Sequence, residues 1–266
     1  MQRQRPSKAR NSRQLQRSRD LVWDGLLNVR DLGGHPTEDG GETKFDSIIR
    51  ADSVRRLSDE GWRSLVDYGV KTIVDLRAND ELEADPPAEL PVEVLHVPFL
   101  ETDRSDWEKI EEELQAAVQA APDVAAATRD VYLIFLERFA ANVAAAIRAV
   151  VDAPEGAVVI HCAGGKDRTG LVTAFLLHLA GVGNQEIGKD YALSEERLRT
   201  RHEQWLAEAQ SEEERERLRR ISQTPADSIT GVLEELERRY GSVDGYLRHA
   251  GLTEDDFARA RARLRG

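Results

Sequence analysis

One segment of ten residues holds most of the side chains that can do chemistry: His161-Cys162-Ala163-Gly164-Gly165-Lys166-Asp167-Arg168-Thr169-Gly170. Cys162 is the single cysteine of the chain, so its thiol has no partner for an internal disulfide. A thiol becomes a strong nucleophile when it ionises, and the amides at the start of a helix stabilise the thiolate. Arg168 follows six positions later and can bind two oxygens of one phosphate with its planar guanidinium. The spacing therefore predicts a cysteine that attacks a bound phosphoryl group in line and forms a phosphocysteine.

The backbone of this segment is predicted to bind the phosphate oxygens. Two adjacent glycines allow a tight turn, in which successive amides point inward. The residues that we predict to bind substrate in this way are Ala163, Gly164, Gly165, Lys166 and Arg168. The Lys166 ammonium adds a cation for an anionic substrate, although a solvated surface charge is the simpler alternative. Because amides and a guanidinium supply the charge stabilisation, this chemistry requires no metal ion and no cofactor.

The remaining polar residues are predicted to support the nucleophile or the leaving group. His161 is placed to hydrogen-bond nearby backbone and fix Cys162, and the Thr169 hydroxyl to donate to the thiolate. A leaving alkoxide or phenoxide also needs a general acid. Asp167, inside the segment, is the first candidate for that acid, and Glu101 and Asp103 are the alternatives.

The elements around the segment are predicted to be a strand before it and a helix after it. Residues 157–160 are apolar and β-branched, and residues 171–179 form an apolar helical stretch that Gly181 ends. Further strands are predicted at 70–76 and 92–98, with helices between and after them. Strands that alternate with helices indicate an α/β fold with a mainly parallel sheet covered on both faces.

Charge divides the chain into a short basic start and an acidic remainder. Residues 1–19 contain seven basic side chains and no acidic ones, and the remaining residues hold 30 basic and 49 acidic side chains. We predict that residues 1–20 form a disordered tail, with weak contact to an anionic membrane as the alternative. The acidic remainder argues against nucleic acid as a partner. No apolar stretch is long enough for a membrane span or follows the start as a signal peptide would, which predicts a cytoplasmic protein, with export by another route left open.

The motif His-Cys-x5-Arg-Thr-Gly resembles the signature of the protein tyrosine phosphatases, and its Gly-Lys-Asp-Arg-Thr-Gly form is similar to the atypical bacterial members. Residues 28–34, 49–53, 74–77 and 240–247 also resemble that family. The resemblance implies a phosphatase-like central sheet flanked by helices, a catalytic domain over residues 21–266, and a two-helix lid at about 190–228. It also implies that Cys162 is the nucleophile and that Lys166, Asp167 and Arg168 correspond to the family's loop residues.

The resemblance leaves the general acid and the substrate open. Members of the family carry an aspartate soon after the strand that corresponds to residues 94–98, where this chain has Glu101. Asp167 is favoured because myotubularin-like lipid phosphatases have an aspartate just before the loop arginine. We expect phosphotyrosine, or protein phosphomonoesters more broadly, as substrate. A phosphoinositide is the alternative, since the pair Lys166-Asp167 resembles enzymes that accept such lipids.

Two further classes of protein compete with a phosphatase. A non-catalytic phosphate-binding module would share the loop, but inactive relatives typically lose either the cysteine or the arginine, and Cys162 and Arg168 are both present. A rhodanese-like sulfurtransferase generally has a shorter interval before the arginine and lacks the Arg-Thr-Gly ending. Both alternatives predict no phosphate release, so a phosphatase assay separates them from the first reading.

Overall fold

A five-stranded sheet lies at the centre of the computed structural model, which describes residues 17–84 and 92–265. In chain order the strands are β1 (Arg30–Asp31), β2 (Ile48–Ala51), β3 (Val70–Asp75), β4 (Glu93–His96) and β5 (Ala157–His161). Their order across the sheet is β1-β2-β5-β3-β4, with β1 antiparallel to β2 and the other pairs parallel. The prediction of an α/β fold with a mainly parallel sheet is confirmed.

Eleven helices are present in the described part of the chain, together with a 3-10 turn at Val54–Arg56. They are α1 (Asp59–Asp67), α2 (Asn79–Ala84), α3 (Arg104–Ala120), α4 (Val124–Arg138), α5 (Ala140–Val151), α6 (Arg168–Leu179), α7 (Asn184–Glu208), α8 (Glu212–Ser222), α9 (Ala226–Tyr240), α10 (Val243–His249) and α11 (Glu254–Arg265). Among these described helices, none combines the length and the apolar composition that crossing a bilayer requires.

The two faces of the sheet are covered by separate apolar clusters. Successive strand residues point to opposite faces, so Ile48 joins the larger cluster and Ile49 the smaller one. The larger cluster contains most of the buried residues of α4 to α6 and of α9 to α11, whereas the smaller one includes Trp23 and Leu65. Because both faces are covered, β5 is buried along its whole length.

The central strand β5 ends level with its two neighbours, which places three loops at one edge of the sheet. His161, its last residue, is paired with Ala51 on β2 and with Asp75 on β3. Helix α6 then leaves this edge and is buried at ten of its twelve residues. The loop between β5 and α6 is therefore held between two elements that are almost fully buried.

The start of the described chain is attached to the domain. Arg17 donates to Asp46 at 2.7 Å, and the backbone oxygen of Arg19 accepts from the Asp31 amide at 2.9 Å. Residues 17–20 of the predicted tail are therefore attached to the domain, because the Arg17 side chain donates to a carboxylate and the Arg19 backbone oxygen accepts from an amide there. Residues 1–16 of the predicted tail lie outside the described residues.

Candidate active site

The loop between β5 and α6 curves tightly beneath the cleft. Cys162 comes directly after β5 and is 2% exposed, and the loop ends where Arg168 begins α6. Gly165 has a φ of 63°, and a Cβ at this position would lie 2.3 Å from the backbone oxygen of Ala51. Only glycine fits there, because any side chain would collide with the end of β2.

The carbonyls of the loop are bonded from the side that faces the domain. The Asn28 side-chain amide donates to the oxygens of Gly164 and Gly165, each at 3.1 Å, and Arg50 Nη2 donates to the Gly165 oxygen at 2.7 Å. The Ser53 amide donates to the Ala163 oxygen at 3.2 Å. In a planar trans peptide the N–H points opposite to the C=O. The amides that follow these three carbonyls are therefore turned away from the domain, as phosphate binding requires.

A buried group of charges lies directly under these contacts. Asp190 on α7 accepts from Arg30 Nε at 2.8 Å and from Arg50 Nη1 at 2.6 Å, and all three side chains are at most 1% exposed. Burial alone would raise the pKa of Asp190, but the two guanidinium groups outweigh it and hold that pKa far below its ordinary value. Burial lowers the pKa of Arg30 to about 9. Arg30 Nη1 also donates to Asn28 Oδ1 at 2.6 Å, which connects the charges to the loop.

Arg168 is oriented by a carboxylate that the sequence did not single out. Glu81 on α2 accepts from both terminal nitrogens of this guanidinium, at 2.9 Å from Nη2 and at a shorter distance from Nη1. Burial opposes the charge on Arg168, but the hydrogen bonds to Glu81 and electrostatic interactions with Cys162 and Glu81 raise its pKa above the ordinary value. Arg168 Nη1 also points to the Leu76 oxygen at 3.5 Å. This leaves Nε–H and the second Nη2 hydrogen to bind two oxygens of one phosphate.

His161 contacts the backbone of Cys162, whereas the Thr169 hydroxyl makes no hydrogen bond to the Cys162 sulfur. His161 Nδ1 lies 3.3 Å from the Cys162 oxygen, and Nε2 lies 3.6 Å from Asp75 Oδ2. Burial lowers the pKa of His161, so the ring is neutral at neutral pH. The Thr169 hydroxyl is buried and has no hydrogen-bond partner among the described residues. The predicted donation from Thr169 to the thiolate therefore stays a prediction.

Asp167 and Lys166 border the cleft and already have partners. Asp167 Oδ1 accepts from the Tyr132 hydroxyl at 2.5 Å, and its side chain is 46% exposed. Lys166 Nζ lies 3.5 Å from the same oxygen and donates to the backbone oxygen of Ile221 at the end of α8. The Lys166 cation is therefore shared between the loop and the helix pair α7–α8.

A cavity of about 1290 Å³ opens beside Lys166, Asp167 and Arg168. Its walls come from α3 and α4, from the segment before α3, and from the end of α8. The large apolar side chains on the wall are Leu100, Trp107, Val118, Val124, Val131, Phe135 and Ile221. An aromatic or aliphatic substrate group has room to pack here while its phosphate lies on the loop.

Comparison with known proteins decides the family. A sequence model described as the tyrosine phosphatase family matches residues 21–266. The chain belongs to the tyrosine phosphatase family. This family consists of hydrolases, so the expected enzyme class and the resemblance are both confirmed.

Two relatives of this tyrosine phosphatase family member cover most of its length. A protein of Nostoc commune named tyrosine-protein phosphatase is 29% identical over 240 residues, which are 82% of this chain and 74% of the relative. A protein of Mycobacterium tuberculosis named triple specificity protein phosphatase PtpB is 29% identical in an alignment of 275 residues, gaps included, which covers 91% of this chain and 98% of the relative. The similarity therefore extends over most of the chain.

The structure brings some of the predicted acids to the cleft of this phosphatase family member and leaves one outside. Glu101 borders the cavity, and its Oε2 accepts from the Asn79 amide at 3.1 Å. Asp103 is the N-cap of α3 and accepts from the Asp106 amide at 3.0 Å, and it is not on the cavity wall. Asp103 is therefore used for helix capping, and Asp167 and Glu101 remain beside the cleft.

Several residues at the site were given no role from the sequence, although the segments 28–34 and 49–53, which resemble the family, contain three of them. They are Glu81, Asn28, Arg30, Arg50, Tyr132, Asp190 and Tyr191. One signal was available: Arg50 lies within the otherwise apolar strand Ile48–Ala51, where a charge needs a buried partner. The acidic run that contains Glu81 looks like an exposed helix surface, so it carried no comparable signal.

Proposed function

We propose that this chain hydrolyses phosphotyrosine, and protein phosphomonoesters more broadly, through a phosphocysteine formed on Cys162. The observation that carries this proposal is the loop itself: three of its carbonyls are bonded on the domain side, and Arg168 is held by Glu81 with one edge of its guanidinium still available. A phosphate on this loop would have the Cys162 sulfur beneath it. The nucleophile and the charge-stabilising groups then act on one phosphorus atom.

The reaction proceeds in two displacements. In the first, the Cys162 sulfur forms a bond to phosphorus while the ester P–O bond breaks, and the leaving oxygen takes the bond's electron pair and a proton from Asp167. In the second, a water oxygen attacks phosphorus and gives its proton to Asp167, and the S–P bond breaks to restore the thiolate. The loop amides and Arg168 stabilise the charge on the equatorial oxygens in both steps.

Protein substrates are favoured over lipids by the charges around the cavity. Five carboxylates border it, belonging to Asp80, Glu81, Glu101, Asp123 and Asp167. They repel a headgroup that carries several phosphates, whereas a single phosphate on an aromatic ring meets Arg168 and an apolar wall. The relative from M. tuberculosis is named a triple specificity phosphatase, which supports a broad substrate range.

A phosphoinositide is the second candidate, because the same cavity offers a wide apolar wall and further cations. Arg104 and Arg220 lie on its border in addition to Lys166 and Arg168. We therefore propose a phosphorylated protein as the main partner and a phosphoinositide as a secondary one. Membrane contact through the basic tail and a cytoplasmic location stay predictions.

The first experiment measures phosphate release from p-nitrophenyl phosphate in the presence of EDTA. We expect turnover by the wild-type protein and none above background by Cys162→Ser, which loses the thiolate but keeps a side chain of nearly the same size. Equal melting temperatures of the two proteins make the comparison valid. Turnover by both would exclude Cys162 as nucleophile, and absence of turnover by folded wild type would favour a phosphate-binding module.

A second experiment compares a phosphotyrosyl peptide with a phosphoinositide in phosphatidylcholine vesicles. We expect a higher kcat/KM for the peptide. The paired variant Arg104→Gln/Arg220→Gln should lower the kcat/KM for the lipid and leave that for p-nitrophenyl phosphate unchanged, because both side chains lie at the cavity border. A higher kcat/KM for the lipid would reverse the order of the two candidates.

The general acid is tested with Asp167→Asn and aryl phosphates of graded leaving-group pKa. We expect kcat/KM, which reports the first displacement alone, to fall by about 10²-fold for poor leaving groups and little for a dinitrophenolate, which departs without a proton. Glu101→Gln is the matched control at the cavity wall. An equal loss on all esters would remove Asp167 from the acid role, and a graded loss in Glu101→Gln would transfer that role to Glu101.

A further inference from the structure

Two buried tyrosine hydroxyls form a chain of hydrogen bonds that ends at the Asp167 carboxylate. Tyr132 on α4 donates to Asp167 Oδ1 at 2.5 Å, and its hydroxyl oxygen lies 2.8 Å from that of Tyr191 on α7. Tyr132 is 2% exposed and Tyr191 is 1% exposed, whereas nearly half of the Asp167 side chain is accessible. The accessible Asp167 carboxylate is therefore hydrogen-bonded to side chains that are buried in the interior.

Packing fixes both rings. They meet edge to face, with centroids 6.2 Å apart and planes at 89°. Tyr191 also lies against α6 at Gly170, where a Cβ would come within 3.1 Å of its Cδ2 atom. The glycine that ends the Arg-Thr-Gly motif thus provides room for Tyr191, which in turn supports Tyr132.

The protonation state of Tyr132 and Tyr191 determines which hydroxyl donates in each hydrogen bond. Burial, together with the negative charge of Asp167, raises the pKa of both tyrosines well above the ordinary value, so both hydroxyls keep their protons. An ionised Asp167 can only accept. The Tyr132 hydroxyl must then donate to Asp167, and the Tyr191 hydroxyl is left to donate to Tyr132.

We propose that Tyr132, held in place by Tyr191, is a positioning residue that turns Asp167 toward the leaving group. This inference rests on the proposed function, in which Asp167 is the general acid. With Oδ1 accepting from Tyr132 at every stage, the transferable proton sits on Oδ2, which is left to face the cleft. The proton moves from Oδ2 to the leaving oxygen as the P–O bond breaks, and Oδ2 takes a proton back from water in the second step.

The experiment measures kcat/KM, which reports the first displacement alone, for a series of aryl phosphates with Tyr132→Phe, Tyr191→Phe and Asp167→Asn. Losing one orienting hydrogen bond should cost Tyr132→Phe about ten-fold in kcat/KM on esters with poor leaving groups. On a dinitrophenyl ester the loss should be under about two-fold, because that leaving group needs no proton. Tyr191→Phe should show the same pattern with a smaller loss, since it acts through Tyr132.

The double variant and a matched control separate positioning from general damage. Tyr132→Phe added to Asp167→Asn should cause no further loss, because the carboxylate it orients is gone. Tyr246→Phe is the control: its buried hydroxyl donates at 2.9 Å to the Leu136 oxygen on the same helix α4, away from the loop. It should lose stability comparably and show no dependence on the leaving group.

The outcomes that overturn the inference are distinct from those that overturn the proposed function. A graded loss in Asp167→Asn together with an even loss in Tyr132→Phe would leave Asp167 as the acid and exclude Tyr132 as its positioning residue. An even loss in Asp167→Asn would overturn both statements about Asp167. If Tyr132→Phe fails to fold, Tyr191→Phe alone decides. An equal loss on all esters in Tyr191→Phe would then show that these hydrogen bonds do not position Asp167.

Discussion

The two sides of the catalytic loop are built from the same kinds of side chain but pair them differently. On the domain side, Asp190 pairs with Arg30 and Arg50 in a cluster that is almost fully buried. On the cleft side, Arg168 pairs with Glu81, whose side chain is 31% exposed, and Lys166 donates to the end of α8. The buried cluster donates to a loop carbonyl through Arg50, whereas the accessible pairs hold the groups that we propose to meet the substrate.

This difference suggests that one side of the loop maintains its shape and the other side determines its reactivity. A buried ion pair is costly to break, because removing one partner leaves an uncompensated charge in the interior. A partly exposed pair is screened by water, so its side chains can reorient toward a phosphate at little cost. We therefore expect the domain side to keep the amides aimed at the cleft, and the cleft side to adjust when a phosphate binds. Variants on the domain side should therefore change mainly the stability of the protein, and variants on the cleft side should change mainly its kinetics.

The largest effect is expected from Arg168→Lys on the cleft side. Lysine keeps the charge but loses the planar fork, so it cannot bind Glu81 and two phosphate oxygens together. We expect kcat/KM for p-nitrophenyl phosphate to fall by about 10⁴-fold with an unchanged melting temperature. A loss of less than ten-fold would mean that charge alone suffices and that the orientation by Glu81 has no kinetic value.

On the domain side, Asp190→Asn should mainly reduce stability. We expect the free energy of unfolding to fall by about 3–5 kcal/mol at neutral pH, because two buried arginines lose their counter-ion. The folded-state pKa of Asp190 is below the ordinary 3.8, so its contribution is complete above that pH and is lost as the pH falls toward the lowered value.

Urea unfolding at neutral pH and at about pH 3 tests this assignment. The wild type should lose more stability on acidification than Asp190→Asn does. The exposed Asp255→Asn is a suitable control for the loss of one carboxylate. Equal acid sensitivity of wild type and Asp190→Asn would contradict the account of the buried pair.

A smaller kinetic effect is expected from Glu81→Gln. The amide keeps the shape but loses the charge that orients Arg168, so kcat/KM should fall by about ten-fold, and inhibition by inorganic phosphate should weaken with it. Glu83→Gln, an exposed glutamate on the same helix α2, should change neither quantity. Stronger inhibition by phosphate in Glu81→Gln would instead show that the carboxylate competes with the substrate for Arg168.

The smallest effect is expected from Lys166→Met. Its ammonium is engaged by the Ile221 oxygen, so a substrate gains only the part of the charge that it can recruit. We expect KM for a phosphotyrosyl peptide to rise about five-fold with kcat unchanged. Lys189→Met, an exposed lysine on α7, provides the control. A fall in kcat without a change in KM would place Lys166 in the chemical step.

The sequence predicted a loop between a strand and a helix because the residues that define it are contiguous. Residues 161–170 contain the predicted nucleophile, amides and guanidinium within ten positions, and the strand before them and the helix after them are strongly apolar. The mainly parallel sheet followed from alternating strand and helix patterns. These features depend on local order along the chain, which a single sequence displays directly.

The partners of the loop were missed because tertiary folding brings them together. Glu81 lies 87 positions from Arg168, and Asp190 lies 160 positions from Arg30. The sequence of a short acidic helix is the same whether one of its carboxylates faces water or binds a guanidinium. The pairing of Tyr132 with Asp167 depends likewise on where folding places α4 relative to the start of α6, which the side-chain pattern alone does not specify.

Gly165 has a consequence for redesigning this enzyme. Its missing side chain lets the backbone of β2 touch the loop, since a Cβ would lie 2.3 Å from the Ala51 oxygen. Any replacement must push the loop toward the substrate or separate two strands of the sheet. The floor of the pocket is therefore closed to engineering at this position, and new selectivity has to be introduced in the wall formed by α3 and α4.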